Sequence, residues 1–72
     1  MTVSEFTKSL SLFLERKPFQ PFSVTLLNGD CVTIREPKYL IHRDGIALYL
    51  DEGVKPAIID SVATIEFREA RA

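Results

Sequence analysis

Side chains able to do covalent or acid-base chemistry are few in this chain and stand apart from one another. His42 is the only histidine and Cys31 the only cysteine. A catalytic imidazole needs a nucleophile or an orienting carboxylate within hydrogen-bond reach. Asp44 and Asp51 lie near His42 in sequence, but no serine stands in a recognisable nucleophile motif. His42 therefore reads as a strand residue. A reactive thiolate needs a basic neighbour or a helix N-terminus; Cys31 falls in a strand segment opposite Thr25 and reads as a small, half-buried residue. A lone cysteine also supplies neither an internal disulfide nor the thiolates of a structural zinc site. Asp51 and Glu52 beside Gly53 offer too few oxygens for calcium and read as a solvated turn. The three glycines, Gly29, Gly45 and Gly53, all sit in turn contexts and form no phosphate-binding loop. The expectation is a protein that is not an enzyme, with no catalytic, cofactor-binding or metal-binding residue to name.

One group of residues could recognise something. Arg35, Lys38, Tyr39, Arg43 and Tyr49 are the only aromatic and basic residues gathered on neighbouring strand segments. Aromatic faces for stacking and cations for the backbone are what single-stranded nucleic acid uses, and the same types are enriched at protein interfaces. These five are the candidate interaction or RNA surface. Nine Lys/Arg against ten Asp/Glu leave a formal charge of −1 with alternating signs, whereas phosphate binding depends on concentrated positive charge. A protein interface is the favoured use and nucleic acid the alternative.

The elements that must position these residues follow from patterning. Residues 2 to 17, "TVSEFTKSLSLFLERK", read as a helix. Thr2 and Glu5 form a capping box, and Val3, Phe6, Leu10, Phe13 and Leu14 make one apolar stripe. Arg16 and Lys17 fall at the negative end of the helix dipole, and Pro18 disfavours helical geometry at the residue before it. "PFQPF" is a stiff connector with Phe19 and Phe22 as anchors.

Turn parity then sets two hairpins within a β-meander over residues 22 to 68. A two-residue loop at Asn28-Gly29 would mix apolar and polar residues on both faces. A three-residue loop, Leu27-Asn28-Gly29, with Gly29 left-handed in a G1 bulge, pairs Phe22 with Ile34 and Val24 with Val32 and leaves one clean apolar face. At Asp44-Gly45 a two-residue loop sets Ile41 opposite Leu48, Tyr39 opposite Leu50 and Arg43 opposite Ile46. The other face of that hairpin carries Leu40, His42, Ala47 and Tyr49, half polar, and reads as only partly covered. "AIID" and "ATIEFR" flank Asp60-Ser61-Val62 as the fourth and fifth strands, the last alternating Ala63, Ile65, Phe67 against Thr64, Glu66, Arg68.

A helix followed by short strands with tight connections predicts a mainly β single domain over residues 1–72, a small bent five-stranded antiparallel barrel of the Sm-like or SH3-like kind, capped by the helix. A chain of 72 residues is near the lower limit for a self-sufficient core. With no disulfide or metal to staple it, assembly is the remaining support. The last strand has no proline to blunt its edge, so Thr64, Ile65, Glu66 and Phe67 are the candidate edge-strand interface of a homo-oligomer. No apolar run approaches the roughly 20 residues that span a bilayer, and Glu5 interrupts the N-terminal apolar segment where a signal peptide would be continuous. The expected compartment is the cytoplasm.

Two resemblances attach to these residues. The order helix, "SVTLLNGDCVTI", "IALYL", "IIDSVATIEF" resembles the Sm-like fold, and more closely its bacterial Hfq branch, whose members run a helix into a V-x-L-x-N-G hairpin and end in two short strands joined by a one-turn bend. That resemblance implies the fold and an RNA-binding ring. Where the Hfq pattern has a Tyr-Lys-His-Ala type bend, however, this chain has Ile59, Asp60, Ser61 and Val62, and an Asp there repels phosphate. The stretch "RKPFQPFSVTLLNGDCVTIREPKYL" is also similar to a group of short bacterial proteins with P-F-x-P-F, an Asn-Gly or Asp-Gly turn and a following proline. It brings no activity with it.

Overall fold

The computed structural model describes residues 1–51 and 55–70. The turn expected at Glu52 and Gly53 lies outside them. Among these residues an N-terminal helix, α1 (Val3–Leu14), is followed by six strands: β1 (Phe22–Leu26), β2 (Cys31–Ile34), β3 (Leu40–Arg43), β4 (Ile46–Tyr49), β5 (Ala57–Asp60) and β6 (Thr64–Glu69). They form two antiparallel sheets, one in the order β2-β1-β6 and the other β3-β4-β5.

Helix α1 starts as its capping box dictates: the Thr2 hydroxyl accepts the Glu5 N–H at 3.1 Å, and the Glu5 carboxylate accepts the Thr2 N–H at 3.0 Å. It ends at Leu14 with Glu15 as C-cap, three residues before the expected end. Pro18 pushes the chain before it toward extended geometry, and Arg16 is used elsewhere. Its guanidinium lies 4.5 Å over the Phe13 ring and pairs with Glu69. No basic residue stands in the last helical turn, so the expected dipole complement is absent.

The first hairpin has the register that turn parity requires. Phe22 pairs with Ile34, Ser23 with Thr33, Val24 with Val32 and Thr25 with Cys31. Gly29 has φ +89° and donates to the Leu26 carbonyl at 3.0 Å, while the Leu26 N–H reaches the Asp30 carbonyl at 2.9 Å. These are the bonds of a three-residue loop closed by a bulge. The second hairpin turns on Asp44 (φ 51°) and Gly45 (φ 84°), and pairs Ile41 with Leu48 and Arg43 with Ile46.

Six strands stand among the described residues where five were expected, because the two hairpins already hold four and β5 and β6 follow them. Pro37–Tyr39 forms a 3-10 turn between β2 and β3. Proline has no N–H to give to a ladder, so the strand stops and the chain turns into the other sheet. At the other junction, Ser61–Ala63 form a single turn between β5 and β6.

One core lies between these elements. The helix contributes Phe6 and Leu10, the first sheet Phe22, Val24 and Ile34, and the second sheet Leu40, Ala47, Tyr49 and Ile59. Phe13, Phe22 and Phe67 close one side with ring centroids 5.1 to 6.1 Å apart, in the range where tilted aromatic pairs are favourable.

Two facial assignments differ from expectation. In the second hairpin the face carrying Leu40, Ala47 and Tyr49 is the core face, and the face carrying Ile41, Ile46 and Leu48 is turned outward. Both faces are apolar enough to be buried, and alternation alone does not choose between them. Gly45 and Ala47 supply the close approach that decides it. A Cβ on Gly45 would lie 2.9 Å from both Ser61 Oγ and Val3 Cγ2, so the hairpin tip is seated on the β5–β6 turn and the start of the helix. In β6 the phase also slips. A bulge opposite Thr25 and Leu26 leaves Ile65 unpaired, burying Thr64 and exposing Ile65 to 50%, the reverse of simple alternation at those two positions.

Candidate functional site

The outward face of the second sheet is assembled by two cross-strand rows. Ile41, Leu48 and Ile58 stand side by side on β3, β4 and β5, and Arg43, Ile46 and Asp60 form the next row. Directly paired residues project from the same face at roughly 5 Å separation, so the rows are contiguous surface. Ile41 is 63% exposed, Ile46 52% and Ile58 70%, with Leu50 just past the end of β4 at 47%. A depression of about 240 Å³ runs between Ile41, His42, Arg43, Ile46 and Leu48. Covering a Leu or Ile fully is worth roughly 1.5–3 kcal/mol, so this half-exposed group holds several kcal/mol of unused apolar burial. Exposed singletons need no explanation, whereas a contiguous apolar patch edged by charge marks an interaction site.

The candidate aromatic and basic group is divided by the fold. Tyr49 is in the core at 2% exposure. Its hydroxyl accepts the N–H groups of Arg35 (3.0 Å) and Glu36 (3.3 Å) and donates to the Asp51 carboxylate at 2.9 Å. Burial pushes that hydroxyl above the ordinary tyrosine value, partly offset by the two N–H donors. Tyr49 thus satisfies amides freed where β2 ends, and it presents no ring for stacking. Arg35, Lys38 and Tyr39 do gather around the 3-10 turn, with the Lys38 ammonium 5.2 Å from the centre of the Tyr39 ring. Arg43 lies at the far end of β3, four residues or roughly 13 Å along an extended strand, where it meets Asp44 at 3.7 Å in full solvent.

Of the four candidate edge residues, Ile65 faces outward and Glu66 is half exposed, where its carboxylate takes the Arg68 guanidinium at 2.8 Å. Thr64 is buried and its hydroxyl donates to the Asp60 carbonyl at 2.8 Å. Phe67 belongs to the aromatic cluster. One side of β6 pairs with β1, and the other has no strand partner among the described residues. His42 and Cys31 are both exposed, Cys31 where a half-buried residue was expected, and the thiol lies 3.7 Å from the Thr25 hydroxyl. Among the described residues no three of His, Cys, Asp and Glu come together, and no helix is long and apolar enough to cross a membrane.

Two features escape a sequence reading. The apolar outward face is hidden because its residues resemble those of a core. The Tyr49 contact is hidden because its partners are backbone amides, although a proline that ends a strand at Pro37 is itself a signal that nearby N–H groups need an acceptor. The chain matches no family model, no curated protein and no solved structure.

Proposed function

We propose that this chain is a non-enzymatic β module that works by docking onto protein surface, either its own or that of another protein. The observation that carries the reading is the contiguous apolar face of Ile41, Ile46, Leu48 and Ile58 on the second sheet. The outer edges of β5 and β6, which pair with no strand among the described residues, add backbone donors and acceptors that a partner strand can take up. Two three-stranded halves, joined by the Pro37 turn and the Ser61 bend, support a bent barrel of the Sm-like or SH3-like kind as the finer architecture. The alternative, an Sm-like ring that binds RNA, draws its support from Arg35, Lys38 and Tyr39 around the 3-10 turn.

Light scattering on untagged protein, with a dye that binds exposed apolar surface added in parallel, tests the docking reading. A mass above that of one 8.2 kDa chain, or a monomer that binds the dye strongly, is the expected result. A monomer that binds no dye overturns it. Nucleic acid carried on the same peak, read from its absorbance, would instead favour the ring.

A further inference from the structure

We infer that the occupant of the outward apolar face is a second copy of this chain, seated face to face about a two-fold axis running parallel to β4. The inference deepens the docking reading and rests on it.

The row Arg43–Ile46–Asp60 is self-complementary. A positive charge stands on one side of the central isoleucine and a negative charge on the other, about 10 Å apart across three strands. Rotating a copy by half a turn about an axis parallel to β4 reverses the order across the sheet and keeps the position along the strands. Arg43 of each copy then faces Asp60 of the other, Ile41 faces Ile58, and Ile46 and Leu48 each face themselves. A two-fold axis perpendicular to the strands keeps each residue over its own strand and pairs no charges. The rows therefore select one isologous arrangement, in which the same patch serves both copies, and aligned sheets packed this way enclose a layer about 10 Å thick.

Both charges are available for it. Among the described residues the Arg43 guanidinium pairs only with Asp44, at 3.7 Å, and both side chains are about nine-tenths exposed. Asp60 gives one carboxylate oxygen to the Val62 N–H at 2.9 Å, and the second takes none of the hydrogen bonds seen among the described residues. An unrelated partner would need only the apolar stripe, whereas opposite charges set symmetrically about it fit a copy of the same surface.

Sedimentation equilibrium of the untagged full chain tests this, over a wide concentration range and with four single variants and one double variant. A monomer–dimer equilibrium is expected. Ile58→Asp should weaken it about 100-fold or more, since a carboxylate would be buried against Ile41 of the partner. Ile41→Lys should do the same, and circular dichroism confirms that each variant is folded. Arg43→Gln and Asp60→Asn should each weaken it by about threefold to tenfold. Asn keeps the oxygen that holds Val62, so the Asp60 change reads on charge. The double variant should be no weaker than either single one, as coupled partners require. A dimer indifferent to Ile58→Asp and Ile41→Lys overturns the inference and leaves docking through another surface standing. So does a dye-binding monomer, which would assign the face to a different protein. A dimer lost with Ile58→Asp but insensitive to both charge variants overturns the arrangement inferred here. A monomer that binds no dye overturns the docking reading as well.

Discussion

On the first sheet the residues pointing away from the core are Ser23, Thr25, Cys31, Thr33, Glu66 and Arg68, joined by the exposed bulge residue Ile65; on the second they are Ile41, Arg43, Ile46, Leu48, Ile58 and Asp60. Each sheet is a hairpin with one further strand, and each buries its other face in the shared core. The first obeys the ordinary rule for an antiparallel sheet, with one face packed and one solvated. The second is apolar on both faces, as a strand layer is when something lies on either side of it. The difference locates the unsatisfied part of the molecule in the second sheet and not in its edges alone.

The largest effect that separates the two sheets lies in their turns. Gly29 and Gly45 both have positive φ, but a Cβ on Gly29 would meet nothing within 4 Å, whereas one on Gly45 would press on Ser61 and Val3 at 2.9 Å. Gly29→Ala should cost about 1 kcal/mol from the backbone alone. Gly45→Ala adds overpacking of roughly 1–3 kcal/mol, for a total of about 3 kcal/mol in urea unfolding. Equal losses at the two sites would mean that the second hairpin is not seated as described, and the assignment of its faces would fall with it.

Tyr49 fixes which face of the second sheet turns inward. Tyr49→Phe keeps the ring and removes the acceptor of the Arg35 and Glu36 amides, so about 2 kcal/mol should be lost, toward the low end for two partly buried orphaned donors. The pH dependence has a definite sign. Burial holds the folded hydroxyl above its ordinary value of 10.0, so above that pH the unfolded chain loses its proton first. Stability is therefore full below pH 10 and falls as pH rises through the folded value. The Phe variant should lack that alkaline slope in a series of unfolding curves, and a variant that retains it would place the slope on another group.

The strand registers were legible in the sequence because turn length and side-chain alternation leave few solutions: Val24 must oppose Val32 if Phe22 and Ile34 are to share a face. The choice of buried face in the second hairpin was not legible, because Ile41, Ile46 and Leu48 look more like core than Leu40, His42 and Ala47 do. What reversed it was shape, in the room that Gly45 and Ala47 leave and the reach of the Tyr49 hydroxyl. The phase of β6 was lost for a different reason. A bulge adds one residue without any compositional mark, and that extra residue, Ile65, moved to solvent while Thr64 went inside. The candidate interaction residues suffered accordingly. Residue type singled out Tyr49 and Arg43 together, and the fold put one in the core and the other at a hairpin tip.

The smallest energetic effect bears most directly on the comparison, because it exchanges the character of the two outer faces. Ile41→Thr removes an exposed side chain from the second sheet, and Thr33→Ile adds one to the first. Both residue types favour strands, and surface changes of this kind alter monomer stability by only about 0.5 kcal/mol. Binding of the apolar dye should respond far more than stability does. It should fall with Ile41→Thr, because the row through Leu48 and Ile58 is broken. It should change little with Thr33→Ile, because the cross-strand row of that residue runs through Ser23 and Arg68 and offers no apolar neighbour with which to form a patch. Contiguity, and not the count of exposed isoleucines, is what the second sheet has and the first lacks. Equal and opposite changes in dye binding would reduce the difference between the sheets to composition and remove the reason to treat one of them as a docking surface.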